Sequence, residues 1–190
     1  MGLLEAVHEA EIDMFRAMNL AGTNVALDSV MVFFTIMGTS YIIVLICVPL
    51  WIQGKKDAAF DVVMLVILAT IATEALKLVV DRPRPDLELS DIETIVSASG
   101  SAFPSGHSAR AFAVACLLYM EEPRKYGVTA LIIASLIAVS RVYLGVHWPT
   151  DVLAGAVLGV VAALVLTEFA KRSVRYQSVR KMTVATLSRG

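Results

Sequence analysis

The stretch Ser140-Arg141-Val142-Tyr143-Leu144-Gly145-Val146-His147-Trp148-Pro149-Thr150-Asp151 decides how the rest of the chain is read. It sets an arginine, a histidine and an aspartate at the mouth between two strongly apolar segments, 127–143 before it and 149–170 after it. Ionisable groups at such a junction are unfavourable unless they have a partner or a function. Two other polar stretches occupy equivalent points: residues 77–85, with Lys77, Arg84 and Pro85 as fixed points, and Pro104-Ser105-Gly106-His107. Nearly everything else between 25 and 170 is apolar.

Of the 190 residues, 57% are hydrophobic and 17% charged, and the mean hydropathy is +0.74. A soluble domain of this size is about half apolar and about a quarter charged. The apolar residues also come in long runs. This predicts an all-α, integral membrane helical bundle forming a single domain over 1–190. The net charge of −1 says little alone, and nothing calls for a nucleic-acid partner. Cys47 and Cys116 lie inside apolar runs and are expected as buried thiols. No charged head followed by an apolar stretch and a small-residue cleavage site opens the chain, so a cleaved signal peptide is not expected.

The spans follow in order. Residues 3–19 carry Leu3, Val7, Ala10, Met14 and Met18 at helical spacing among Glu5, Glu9, Glu11, Asp13 and Arg16. This is an amphipathic helix, either lying on the membrane surface or packed against the bundle. Ala21-Gly22-Thr23-Asn24 breaks it. Residues 26–53 are one long tilted span or a pair kinked at Gly38. Residues 58–80, 105–120, 127–143 and 149–170 complete about five transmembrane helices, with a polar loop at 86–103 and a basic tail over 171–190. Lys55, Lys56, Arg124, Lys125 and the tail then share one face, which the positive-inside rule makes cytoplasmic. The three polar stretches open on the extracytoplasmic side of the cell membrane.

Their chemistry suits an anion. Arg84 and Arg141 offer guanidinium forks that match phosphate oxygens, and Lys77 adds a point charge. Ser105 is placed as an N-cap, Gly106 allows close backbone approach, and a helix N-terminus favours phosphate. His147 and Asp151 are one helical turn apart. The carboxylate can hold one ring nitrogen and leave the other free to attack, a nucleophile with its orienter. His107 can donate a proton to a departing oxygen. Of three histidines, His8 alone falls outside these stretches, on a surface helix. No cluster has metal-ligand spacing, so no metal and no cofactor is expected.

Together, Lys77-x6-Arg84-Pro85, Pro104-Ser105-Gly106-His107 and Ser140-Arg141-x5-His147-x3-Asp151 resemble the tripartite signature of the type 2 phosphatidic acid phosphatase superfamily. That superfamily includes membrane lipid phosphatases, soluble bacterial acid phosphatases and vanadium haloperoxidases. The resemblance covers about 25–170, and the amphipathic helix stands where the six-span lipid phosphatases have a first span. It implies that His147 attacks phosphorus to form a phosphohistidine, Asp151 orients His147, and His107 protonates the leaving group. Lys77, Arg84 and Arg141 would hold the phosphate oxygens, with Ser105 and the Gly106 amide completing the cradle. Arg82 and Glu74 are not signature positions; Glu74 is placed to pair with Lys77.

The expected activity is hydrolysis of a lipid phosphate or diphosphate within the bilayer. A polyprenyl diphosphate is the leading substrate and a phosphatidylglycerol-phosphate-like or phosphatidate-like glycerolipid the alternative. The spans argue against the soluble haloperoxidases. A transporter or scaffold would use the same spans and cations without needing His107, His147 and Asp151 in this order.

Overall fold

The computed structural model describes residues 3–19 and 24–188, which form ten helices and no strand. They are α1 (Leu3–Asn19), α2 (Val25–Met37), α3 (Ser40–Val44), α4 (Cys47–Ile52), α5 (Lys56–Val80), α6 (Pro85–Glu88), α7 (Gly106–Glu121), α8 (Arg124–Tyr143), α9 (Pro149–Arg172) and α10 (Val174–Leu187). The expected break at Ala21-Gly22-Thr23 lies outside the described residues. Beyond it, Asn24 caps α2, its Oδ1 accepting from the Leu27 N–H at 3.0 Å.

Among the described residues three helices, α5, α8 and α9, are long and apolar enough to cross a membrane, and the pair α2 with α3–α4, bent by 64°, passes the same test together, as a broken span or a re-entrant loop. The kinked alternative for 26–53 is therefore the one adopted. α7 has 16 residues, about 24 Å of helix, and runs through the centre packed against α5, α8 and α9. Small residues let it do so. A Cβ on Gly155 would meet the Ser105 carbonyl, and one on Gly159 the Ala109 carbonyl. Glycine at this four-residue spacing brings the α9 backbone onto α7, as at small-residue membrane helix crossings. The outward faces stay apolar: Ile71 and Leu78 on α5 and Val157 and Val165 on α9 are exposed, as a lipid-facing belt requires.

The two ends differ. At one, Lys55 pairs with Glu122, and Lys56 Nζ donates to Ser188 Oγ at 2.8 Å. The basic tail is here an ordered helix. Ser173 caps α10, accepting from the Tyr176 N–H at 3.2 Å. Asp61, 2% exposed in α5, accepts from Tyr176 Oη and Arg180 Nη1, each at 2.6 Å. A buried carboxylate demands such partners, and they draw 174–187 back onto the bundle.

α1 caps the other end, packed on α8 and α9. Its docking stripe is Glu11, Phe15 and Asn19, all buried, rather than the apolar stripe read from sequence. Val7, Ala10 and Met14 of that stripe face outward and are exposed. Asn19 Nδ2 donates to the Glu93 and Tyr143 carbonyls at 2.7 and 2.8 Å, and its Oδ1 accepts from the Glu93 N–H at 2.9 Å. That bidentate grip fastens the 86–103 loop to the turn after α8.

Candidate active site

The turn 144–148 joins α8 to α9. Gly145 takes a φ of 81°, a left-handed conformation open to glycine without strain. Pro149 then opens α9 at N1, where its missing N–H leaves nothing unsatisfied. Asp151, at N3, accepts from the Trp148 N–H through Oδ2 at 2.8 Å, the reciprocal half of a capping box. The same oxygen lies 3.6 Å from His147 Nδ1. This is longer than a hydrogen bond, yet it settles which ring nitrogen faces the carboxylate. Nε2 points the opposite way, with Arg84 Nη1 at 3.5 Å. Asp151 is fully buried and His147 is 3% exposed. Burial pulls the His147 pKa down from 6.5 to about 4; Asp151 opposes the shift, and Arg141 and Arg84 add to it. At neutral pH the ring is an uncharged base.

The cations surround that ring. Arg84 follows α5 in extended backbone and is buried. Its Nε donates to Gly100 O at 2.9 Å, Nη2 to Ser99 O at 3.0 Å and Nη1 to Val146 O at 2.6 Å. It thereby clamps the 99–101 loop to the histidine turn. Arg141, in the last turn of α8, is buried, donates through Nη1 to Thr35 Oγ1, and has a partnerless Nε. Lys77, in the last turn of α5, donates to Glu74 Oε1 at 2.9 Å, the pairing expected from sequence. It stands at the rim, where Glu74, Leu78, Asp81 and residues 99–101 line a cavity of about 450 Å³.

The start of α7 closes the site. Ser105 is its N-cap, with Oγ 3.5 Å from the Ser108 N–H, and its own N–H donates to the Asp151 carbonyl at 2.9 Å. The Gly106 and His107 N–H groups, in the first helical turn, have no intrahelical acceptor. His107 packs against the α2–α3 bend: a Cβ on Gly38 would stand 2.9 Å from His107 Cδ2. From there an apolar groove of about 220 Å³ runs between α3–α4, α7 and α8, lined by Met37, Ile42, Ala111, Ala115 and Ile137 among others. Ala111, in its lining, lies one helical turn beyond His107 on α7.

All eight residues singled out by sequence thus gather at one end of the bundle. The structure adds four. Arg82 Nη1 donates to Asp151 Oδ1 at 2.8 Å, and its Nη2 pairs with Glu11 Oε2 at 2.6 Å. Glu11 also accepts from the Thr150 N–H at 3.1 Å, at the α9 N-terminus. Thr35 holds Arg141. Arg110, buried in α7, has no hydrogen-bonded partner for its Nε. Its charge inside an apolar run was the legible signal, since an ionisable residue at membrane depth marks function by default. Arg82 too was visible as a cation at the outer end of a span, though outside the signature; Glu11 and Thr35 depend on tertiary contacts. His8 is exposed, with its ring 6.0 Å from Trp148.

A neutral imidazole with one nitrogen facing a carboxylate and the other facing guanidinium groups is suited to attack on an anionic phosphorus centre. Set in an apolar bundle that also holds an apolar groove, it defines an integral membrane lipid phosphate phosphatase. Residues 58–175 match the PAP2 superfamily, and the chain belongs to that family. It is similar to the Bacitracin transport permease protein BcrC of Bacillus licheniformis, 29% identical over 82% of this chain and 78% of the relative. It is likewise similar to Undecaprenyl-diphosphatase BcrC of Bacillus subtilis, 29% identical over 83% of this chain and 82% of the relative. Among solved structures, it resembles the transmembrane PAP2 type phosphatidylglycerolphosphate phosphatase from Bacillus subtilis. That match has a TM-score of 0.74 at 29% identity, covering 90% of this chain and 89% of the other.

Proposed function

We propose that the protein hydrolyses a polyprenyl diphosphate to the monophosphate, without metal, at the extracytoplasmic face of the membrane. The observation that carries the reading is the orientation of His147, Nδ1 toward Asp151 and Nε2 toward Arg84. In this mechanism Nε2 forms a bond to the terminal phosphorus as the bridging phosphorus–oxygen bond breaks. The electron pair leaves with the lipid phosphate. Arg84, Arg141, Lys77, Ser105 and the Gly106 amide hold the equatorial oxygens, where charge develops. Asp151 supports the positive charge on the substituted ring. Water then attacks the phosphohistidine and releases phosphate. With an alcohol as leaving group, His107 supplies the proton.

The choice of lipid rests on the undecaprenyl-diphosphatase name of the Bacillus subtilis relative and on the apolar groove whose lining includes Ala111, one turn beyond His107. A phosphatidylglycerol phosphate substrate is the second reading, favoured by the likeness to the Bacillus subtilis structure. The sidedness rests on the basic end formed by Lys55, Lys56, Lys171 and Arg180, which lies opposite the site.

Phosphate release by the detergent-solubilised protein, with chelator present, tests the proposal. A polyprenyl diphosphate and a phosphatidylglycerol phosphate are offered in parallel, with His147→Ala as control. Metal-free release of phosphate from the diphosphate, abolished in the variant, is expected. Release that survives His147→Ala removes the mechanism. Preference for the glycerolipid moves the substrate to the second reading. Loss of activity on adding chelator removes metal independence, and no release from either lipid leaves a transport role.

A further inference from the structure

Arg110 is the feature the mechanism above does not use. It lies three residues past His107 in α7 and is 8% exposed. Its guanidinium folds back over Gly106, where a Cβ would stand 3.0 Å from Nη1 and 3.6 Å from Thr73 Oγ1. Its Nε is buried without a partner, and among the described residues it makes no hydrogen bond or ion pair. Guanidinium remains charged at any physiological pH. A largely buried guanidinium with an unpartnered Nε and no hydrogen-bonded carboxylate, Glu74 acting on it only through space, is unfavourable, so its retention points to an anionic ligand.

The surrounding charges say which part of a ligand. Arg84 Nη1 lies 3.5 Å from His147 Nε2, whereas the Arg110 guanidinium lies over Gly106, the residue before His107. The two guanidinium groups thus stand by different histidines, Arg84 by the attacking one and Arg110 by the one at the leaving group. In the mechanism above, Arg84, Arg141 and Lys77 hold the transferred phosphoryl group, which leaves Arg110 for a second one.

We infer that Arg110 binds the second phosphoryl group of a diphosphate substrate, the one that departs with the lipid. This rests on the diphosphatase reading and deepens it. When the bridging bond breaks, its electron pair settles on an oxygen of that second group, which gains a negative charge. Arg110 meets that charge with a fork of donors. A phosphate monoester has a second pKa of about 6, so it leaves without a proton where an alkoxide cannot.

The test compares farnesyl diphosphate with farnesyl monophosphate, which share one tail, and adds inorganic pyrophosphate and inorganic phosphate as inhibitors. In Arg110→Gln, kcat/KM for the diphosphate should fall roughly 10- to 100-fold relative to the monophosphate. Inhibition by pyrophosphate should weaken by a similar factor relative to phosphate. Arg110→Lys, which keeps the charge and loses the fork, should fall between. Arg110 has no hydrogen-bonded protein partner to lose, and its through-space attraction to Glu74 is not a contact, so Arg110→Gln should change the unfolding temperature little.

Equal losses on both substrates, with both inhibitors weakened alike, overturn the inference, as does a variant whose losses track a lowered unfolding temperature. If Arg110→Gln does not fold, the ratios in Arg110→Lys decide, and wild-type ratios there overturn the inference. A wild type inactive on the diphosphate yet active on the glycerolipid refutes the diphosphatase reading separately. Pyrophosphate inhibition then decides on Arg110 alone.

Discussion

Arg82 donates one guanidinium nitrogen to Asp151 Oδ1 at 2.8 Å and the other to Glu11 Oε2 at 2.6 Å. A single side chain thus ties the N-terminal helix to the carboxylate behind His147. Trp148 backs it, with the guanidinium 5.3 Å from the ring centroid. Both carboxylates are buried, and without the arginine each would be left as an uncompensated charge. Arg82→Gln should therefore lower stability by roughly 3 kcal/mol and kcat by roughly 10- to 100-fold, through a displaced histidine. Thermal unfolding and phosphate release in detergent measure the two. Full activity with lowered stability would mean that Arg82 only anchors α1.

His147 sets the pH response. Its pKa is pulled down to about 4, chiefly by burial, and in the proposed mechanism the free base is the attacking form. The acid limb of kcat/KM owed to His147 should lie near pH 4, with no loss from this group between pH 7 and 5.5. The stability contribution has the same sign. The unfolded ring binds its proton near 6.5 and the folded ring near 4, so stability falls as pH drops through that window. Asp151→Asn removes the one influence that raises this pKa. It should shift the limb further down and reduce kcat by roughly 10³- to 10⁴-fold. A limb centred at 6.5 in the wild type would show that His147 titrates as an exposed imidazole.

His107 and the leaving group are linked by basicity. A departing alkoxide is a far stronger base than a departing phosphate, so it depends more on a proton donor. His107→Gln should reduce kcat by roughly 10²- to 10⁴-fold on a phosphate monoester and by clearly less on a diphosphate. Side-by-side rates on farnesyl monophosphate and farnesyl diphosphate check this. Equal losses would mean that His107 holds phosphate and does not donate a proton.

The membrane class and the convergence of the eight residues at one end of the bundle were legible because each rests on local signals, whereas of about five expected spans three or four among the described residues are long and apolar enough, the 16-residue α7 falling short. Apolar runs, prolines at Pro85 and Pro149, and fixed spacings such as Ser140-Arg141-x5-His147-x3-Asp151 are all visible along the chain. The docking face of α1 was not. Its apolar stripe through Val7, Ala10 and Met14 obeys helical periodicity, but in a membrane protein the apolar face need not point inward. Glu11 and Asn19 are drawn inward by Arg82, Thr150 and the loop carbonyls, partners 71 or more residues away. Thr35 gives no sequence signal for the same reason. Arg110 did give one, a charge within an apolar run, but it sits outside the signature spacing.

The tail supplies a contrast to the site. Asp61 lies in α5 near the opposite end of the bundle from His147, and 174–187 folds back to reach it. Tyr176 packs between Phe60 and Phe169, with ring centroids 5.8 and 5.7 Å away, while its hydroxyl bonds Asp61 at 2.6 Å. Arg180 supplies the charge, at 2.6 Å from Asp61 and 3.5 Å from Asp57. Removing Arg180 leaves Asp61 buried with a phenol alone, so Arg180→Ala should lower stability by roughly 3 kcal/mol. Asp61→Asn paired with Arg180→Ala should recover part of that loss, because no charge remains buried. Phosphate release per folded molecule should stay at the wild-type level in both, since no contact of this cluster reaches His107 or His147. Unfolding midpoints and rates on matched detergent samples measure the two quantities independently. A drop in kcat at full occupancy of the folded state would show that the Asp61 cluster is coupled through α5 to Lys77.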